Sequence, residues 1–113
     1  MIRKAFVMRV NGDARDEYQR RHDALWPEMR DLLERHGVRS YSIFLHPDLD
    51  LLFAYAELES LEQWNAIATT PQCRRWWAHM RDIMPTNADD SPVSADLREV
   101  FHLKAGPAQT LQE

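Results

Sequence analysis

Cysteine and glycine are both scarce in this chain of 113 residues, and each shortage argues against a class of function. The single cysteine, Cys73, cannot form an internal disulfide, so the sequence fits a reducing compartment. A lone cysteine next to an arginine is more typical of a small buried residue than of a nucleophile. The three glycines do not form a phosphate-binding loop, so no nucleotide cofactor is indicated.

Long apolar runs and excess positive charge are also missing. No stretch approaches the roughly 20 apolar residues of a membrane span, and the N-terminus has no run long enough for a signal peptide. The formal net charge is −4, whereas nucleic acid or an anionic membrane would favour a basic patch. These absences predict a cytoplasmic protein whose main partner is neither nucleic acid nor a membrane.

The histidines do not have the spacing of a metal site. No HxH or HxxxH pattern occurs, and the arginines near His79 would repel a cation. The five histidines are His22, His36, His46, His79 and His102. We therefore expect no bound metal.

The pattern of apolar residues predicts a single α+β domain. Alternation indicates strands at 2–10, 38–46 and 51–58 and a last strand through Leu97, Glu99, Phe101 and Leu103. Helical spacing indicates a helix at 14–36, kinked or broken at Pro27, and a second helical region from 61 to 84, restarted near Pro71. Asp13 and Ser60 are the expected N-caps. The order predicts a ferredoxin-like βαββαβ fold, a four-stranded antiparallel sheet with helices on one face.

The other face of such a sheet needs a cover as well. Phe6, Met8, Phe44 and Phe101 lie at alternating strand positions, and we expect them to form an exposed apolar face. A second copy of the chain is the simplest cover, so the sequence predicts a homodimer. Residues 1–103 form the predicted domain, and 104–113 a mobile tail rich in Gly, Pro, Gln and Thr.

A tyrosine, a histidine and a tryptophan follow one another at steps of four, at Tyr18, His22 and Trp26. On one helix they would share a face that is too polar for a core and too aromatic for an ordinary surface. Such a face suits a sugar-sized polar ligand, with aromatic planes for stacking and an imidazole for proton transfer. The alternative is a structural histidine at the edge of the core.

Two further groups of residues have the chemistry of a ligand site. Trp76 and Trp77 are adjacent, so they point about 100° apart on a helix, and one can be buried while the other lines a cleft. The alternative is that both pack under the sheet. Tyr41 lies on the strand face expected beneath the helices, where its hydroxyl meets His22, a ligand or solvent.

The sequence resembles the L-rhamnose mutarotase family over about residues 1–103. The stretches that carry the resemblance are Ile2 to Met8, Tyr18 to His22, Trp26-Pro27-Glu28, Tyr41, Leu51 to Ala54, Arg75-Trp76-Trp77, Met84-Pro85 and Asn87 to Val93. The resemblance implies a small dimeric isomerase of rhamnose metabolism that interconverts the α and β anomers of L-rhamnose without metal or cofactor. It places the proton donor at His22 and the sugar contacts at Tyr18, Tyr41, Trp76 and Trp77, and leaves Trp26 a packing role.

Two other functions are compatible with the fold expected from this order of elements. One is a cofactor-free dimeric monooxygenase acting on a polycyclic aromatic compound, which would favour a more apolar cavity. The other is a non-enzymatic dimer in which the tryptophans bind a ligand or partner. The group that removes the proton from the anomeric hydroxyl is left open, and a tyrosine and a bound water are the two candidates.

Overall fold

A computed structural model describes residues 1–107 of the chain. The elements in chain order are β1 (Ile2–Arg9), α1 (Arg15–Asp23), α2 (Pro27–Arg35), β2 (Val38–His46), β3 (Leu51–Leu58), α3 (Leu61–Ile67), α4 (Pro71–Met80) and β4 (Ser94–Leu97). None of the helices in this range is long and apolar enough to cross a membrane.

The four strands form one antiparallel sheet in the order β2-β3-β1-β4. β2 and β3 make a hairpin around the turn at residues 47–50, as their short separation predicts. β1 and β3 are the two central strands. The outer strands β2 and β4 each follow a pair of helices that connects them to the preceding strand. This arrangement confirms the predicted ferredoxin-like fold.

The core lies between the helices and one face of the sheet. β3 contributes Leu52, Ala54, Ala56 and Leu58 to it, each at most 1% exposed. Phe6 and Met8 pair with Ala54 and Leu52 across β1 and β3, so their side chains share this face.

The prediction that Phe6 and Met8 belong to the exposed face is therefore wrong: they are 9% and 5% exposed. Alternation separates the two faces of a strand but does not say which one the helices cover. Phe44 does lie on the uncovered face and is 65% exposed. It is opposite Phe53 in the β2–β3 ladder.

Prolines divide both helical regions, as predicted. Pro27 and Pro71 each stand in the first turn of a new helix, where a missing amide hydrogen costs no helical hydrogen bond. Ser60 caps α3 by accepting a hydrogen bond from the Gln63 amide, which confirms the predicted cap. The expected cap at Asp13 is wrong, because the N-cap of α1 is the buried Ala14, which provides no side-chain hydrogen bond to the helix.

The last strand ends earlier than its alternation suggested. β4 is Ser94–Leu97 and pairs with Ala5–Met8 of β1, and residues 98–106 have no regular secondary structure. The pairing of β4 with β1 ends at Leu97 opposite Ala5, although β1 continues to Ile2. After β4, Glu99 contacts β1 through its side chain, where Arg3 Nε donates a hydrogen bond to Glu99 Oε1 at 2.7 Å. Phe101 is 79% exposed. Of the tail predicted to be mobile, 108–113 lie outside the described residues.

Gly37 is the position where the backbone most clearly requires glycine. It ends α2 with a φ of +79°, and an added Cβ would lie 2.7 Å from Gln63 Oε1 and 3.0 Å from Glu59 Cβ. We expect Gly37→Ala to lower the free energy of unfolding by about 1–2 kcal/mol or more, since a left-handed conformation strains residues with a Cβ. Urea unfolding measures this change. Gly106→Ala is the matched control because no atom lies within 4 Å of its added Cβ, and an equal loss there would contradict the prediction.

Candidate active site

A cleft of about 1030 Å³ opens between the helices and the helix-facing side of the sheet. This volume is at the upper end of the range of small-molecule sites, about 300–1000 Å³. All five residues predicted to contact or act on a ligand line it: Tyr18 and His22 from α1, Tyr41 from β2, and Trp76 and Trp77 from α4. Residues far apart in the sequence therefore meet in one cavity.

His22 is held between two aromatic rings. It stacks on Tyr18 with ring centroids 4.3 Å apart, and its ring meets Trp76 edge-on at 5.4 Å. Its Nδ1 lies 3.0 Å from the main-chain oxygen of Tyr18. This combination of stacking and hydrogen bonding restrains both the plane and the rotation of the imidazole.

The environment of His22 favours the neutral ring. Burial lowers the pKa of His22 below its ordinary value, while the Tyr18 carbonyl and the charge of Asp23 oppose the change without reversing it. The imidazole is therefore largely uncharged at neutral pH. A neutral imidazole has one nitrogen that donates and one that accepts.

The two tyrosines that line the cleft keep their hydroxyl protons. Burial, and then the neighbouring Tyr41, raise the pKa of Tyr18 well above its usual range. Burial also raises the pKa of Tyr41, and the nearby Cys73 adds to the effect. Both hydroxyls are thus available as hydrogen-bond donors to a polar ligand, and neither is a ready base at neutral pH.

Tyr41 is supported by rings that sequence reasoning did not connect with the site. Its ring centroid lies 6.5 Å from that of Phe6 and 5.7 Å from that of Trp64. Trp64 had been visible only as an apolar position of a helix. Its place beside Tyr41 depends on how α3 lies on the sheet, and no local pattern in the sequence indicates that.

Trp76 and Trp77 differ in exposure, as expected for adjacent positions on a helix. Trp76 is 7% exposed, whereas Trp77 is half-buried, and both line the cleft. Trp26 packs edge-on against Trp76 at 5.0 Å and lies 5.2 Å from His79.

The prediction that Tyr18, His22 and Trp26 share one helix face is therefore only partly correct. Tyr18 and His22 share α1, but α1 ends at Asp23, and Trp26 precedes α2. Trp26 reaches the same cluster from the next element, where its contacts with Trp76 and His79 give it a packing role.

Arg21 ties α1 to the segment that follows α4. Its guanidinium donates to Glu17 at 2.7 Å, to Asp82 at 2.8 Å and to the His79 carbonyl at 2.6 Å. These contacts hold the helix that carries His22 against the helix that carries Trp76. The sequence offered only a weak indication of this role, because Glu17 lies four residues before Arg21 and the two can pair on one helix face. No local pattern indicated the contact with Asp82.

Other reactive groups are less well placed for chemistry. Cys73 is buried, and burial raises the pKa of its thiol to about 11, so it stays protonated. Within residues 1–107, no cluster of three or more His, Cys, Asp or Glu side chains is arranged to hold a metal ion. His22 thus lines the cleft as an imidazole beside the carboxylates of Asp16, Asp23 and Asp96.

Comparison of the sequence with known families gives a match over almost the whole chain. The L-rhamnose mutarotase family model matches residues 3–103. The chain is 61% identical to an L-rhamnose mutarotase of Citrobacter koseri over 103 residues, covering 91% of this chain and 99% of the relative. It is 60% identical to one of Salmonella paratyphi B over 104 residues, covering 92% of this chain and all of the relative.

Solved structures resemble the chain in two groups. L-rhamnose mutarotase of Formosa agariphila has a TM-score of 0.85 at 39% identity, covering 92% of this chain and 100% of that one. A Streptomyces coelicolor monooxygenase in complex with nanaomycin D has a TM-score of 0.62 at 13% identity, covering 92% and 91%. The second likeness shows a shared fold alone.

The contacts of Glu17 predict a pH-dependent contribution to stability. Hydrogen bonds from Arg20 and Arg21 lower the pKa of Glu17 from 4.5 to about 2. The stabilisation is therefore complete above about pH 4.5 and is lost as the pH falls towards 2. We expect Glu17→Gln to unfold at a lower urea concentration than wild type at pH 7, with the difference shrinking between pH 4.5 and 2. The exposed Glu62→Gln is the control, and a pH-independent deficit in Glu17→Gln would contradict this account.

Proposed function

The chain belongs to the L-rhamnose mutarotase family, and we propose that it interconverts the α and β anomers of L-rhamnose in the cleft around His22. The reaction is that of a cofactor-independent isomerase. The observation that carries the proposal is the convergence of one imidazole, two phenols and two indoles on a single cavity. These are the groups that the chemistry of a sugar anomer requires.

Mutarotation opens the pyranose ring and closes it on the other face of the aldehyde. The ring oxygen must gain a proton and the anomeric hydroxyl must lose one. We assign to His22 the donation of a proton to the ring oxygen, because it is the titratable group of the cleft suited to proton transfer near neutral pH. General acid–base catalysis of this kind contributes about 10²–10⁴-fold to a rate.

The remaining groups orient the sugar. The hydroxyls of Tyr18 and Tyr41 keep their protons, so they suit hydrogen bonds to sugar oxygens. Trp76 and Trp77 offer indole surface for the C–H face and methyl group of a deoxysugar. A fixed orientation brings the reacting oxygens close to the imidazole and removes part of the entropic barrier.

The two alternative functions lack comparable support. The fold shared with monooxygenases is accompanied by 13% identity to the Streptomyces coelicolor enzyme, whereas identity to mutarotases is 39–61%. A passive binding module does not need a half-buried imidazole in its cleft. We also retain the predicted cytoplasmic location and the domain limits 1–103 as proposals.

We further infer that a second copy of the chain covers the open face of the sheet. Ala5, Val7 and Leu97 lie on this face with the Phe44–Phe53 pair, opposite the buried helix side. The segment after β4 adds more exposed apolar side chains: Val100, Phe101 and Leu103 are 82%, 79% and 75% exposed. Apolar surface of this extent is uncommon on a monomer.

Replacement of the imidazole tests the assignment of the active site. We expect His22→Ala to lose about 10²–10⁴-fold in the enzyme-catalysed exchange of L-rhamnose anomers, followed by saturation-transfer NMR, while remaining folded by circular dichroism. His36→Ala is the matched control, because His36 makes the same contact to a carbonyl on α2 but does not line the cleft. A folded His22→Ala protein with wild-type exchange would exclude His22.

A charge placed on the open face tests the homodimer. We expect wild type to sediment as a dimer at micromolar concentration and Phe53→Glu to sediment as a folded monomer, because burying an unpaired carboxylate opposes association. Leu61→Glu is the control, since Leu61 is 47% exposed but lies on α3. A monomeric wild type, or a Phe53→Glu protein that remains dimeric, would refute the proposed interface.

A further inference from the structure

The hydrogen bond of His22 selects one form of its ring. Nδ1 lies 3.0 Å from the Tyr18 main-chain oxygen, and a carbonyl oxygen only accepts hydrogen bonds. The hydrogen of a neutral imidazole therefore lies on Nδ1, and Nε2 carries a lone pair. Within residues 1–107 the ring makes no second hydrogen bond, so Nε2 is the nitrogen available to a ligand in the cleft.

Asp16, Asp23 and Asp96 line the cleft, and two other acidic residues on or close to α1 are engaged by arginines. Glu17 is bound by arginines, and Asp82 is paired with Arg21 at 2.8 Å. Asp23 favours the imidazolium only weakly, because burial has the larger effect on His22.

The remaining neighbours of the imidazole do not offset its burial. The ring faces Tyr18 and Trp76, and His79 reaches the cluster through Trp76 at 5.5 Å. No carboxylate within residues 1–107 makes a hydrogen bond to His22, so burial keeps the pKa of the ring below its ordinary value.

The tyrosines cannot serve as the missing base in this setting. Tyr18 and Tyr41 retain their protons because each is buried and each lies near another group that opposes a phenolate. The two phenols can donate to the ring oxygen as negative charge develops there, which is a stabilising role. An acceptor for the anomeric proton must therefore be found among the other groups of the cleft.

We propose that Nε2 of neutral His22 removes the proton from the anomeric hydroxyl and then delivers that same proton to the ring oxygen. The inference rests on the proposed function, and it names the acceptor that the sequence left undecided. One imidazole thus serves as base and acid in turn, and the proton that it gives to the ring oxygen comes from the anomeric hydroxyl of the substrate.

The proton and electron pairs balance in this sequence. The Nε2 lone pair forms an N–H bond, the electrons of the O–H bond become the second bond of the aldehyde, and the bond from the anomeric carbon to the ring oxygen breaks with its pair on that oxygen. The ring oxygen then takes the proton, and Nε2 regains its lone pair. After a half-turn about the adjacent carbon–carbon bond, the same steps in reverse close the other anomer.

The dependence of kcat/KM on pH tests the proposal. If the neutral ring starts the reaction, kcat/KM rises with pH through a single ionisation below about 6.5, the ordinary value for histidine, and stays level to pH 9. If an imidazolium starts the reaction, kcat/KM falls as the pH rises through the same ionisation. Saturation-transfer NMR at pH 5–9, corrected for uncatalysed exchange, distinguishes the two cases, and a kcat/KM that falls as the pH rises through this ionisation would overturn the proposal.

The outcomes separate this inference from the function on which it rests. A wild-type protein that does not accelerate anomer exchange at any pH would refute the proposed function. An active enzyme whose kcat/KM falls with rising pH would refute the shuttle alone. Tyr41→Phe should lower kcat and leave the shape of the pH profile unchanged, and a changed shape would assign proton removal to Tyr41 and overturn the proposal.

Nitrogen-15 NMR of the imidazole rings provides a test that does not depend on activity. At pH 8 we expect His22 to show a protonated Nδ1 and a bare Nε2, with its signals assigned by their loss in His22→Gln. His36 is an internal reference, because its Nδ1 lies 2.9 Å from the Leu32 carbonyl in the same i−4 arrangement. The opposite form of His22, or an imidazolium at pH 8, would overturn the proposal.

Discussion

The hydrogen bond between Nδ1 of His22 and the main-chain oxygen of Tyr18 is the contact on which the proposed chemistry depends. It joins residues one turn apart on α1, so the helix itself supplies the acceptor at a fixed position. Stacking on Tyr18 and the edge contact with Trp76 restrict the remaining freedom of the ring. The imidazole is therefore already oriented before a substrate binds, which reduces the entropy lost when Nε2 meets the substrate.

The packing that holds this contact also sets its chemical character. Burial disfavours the charged imidazole and the charged phenols alike, because both would lose hydration. The effect on function differs between the two types of group: it leaves the imidazole a neutral acceptor, while the tyrosines remain donors. One physical cause thus separates the proposed roles of neighbouring residues.

The prediction from sequence was most successful where local rules apply. Pro27 and Pro71 removed amide hydrogens at positions where only a first helical turn tolerates the loss, so the breaks were visible. Ser60 followed by Gln63 indicated a cap for the same reason. The prediction was less successful for β4. Apolar and polar residues continue to alternate after Leu97, but the pairing of this segment with β1 ends there.

The candidate site shows the same division between local and tertiary information. Tyr18 and His22 were recognisable as neighbours because helical periodicity places them one turn apart, whereas Trp26 lies beyond the end of α1. The residue pattern indicated Tyr41, Trp76 and Trp77 as candidates and the resemblance to mutarotases made them sugar contacts, but neither showed the way in which they meet. Arg21, which connects α1 to Asp82, acquires its role only when α1 and the segment after α4 are side by side.

The sequence by itself determined the order of elements, their breaks and the residue types available for proton transfer, since these depend on interactions among near neighbours. The tertiary structure decided which sheet face is covered, placing Phe6 and Met8 in the core and leaving Phe44 and Phe53 outside. It also decided the protonation of the candidate site, because desolvation depends on groups brought together from distant parts of the chain. A pattern of residues can indicate a histidine of interest, but only its surroundings determine whether that histidine starts as an acid or as a base.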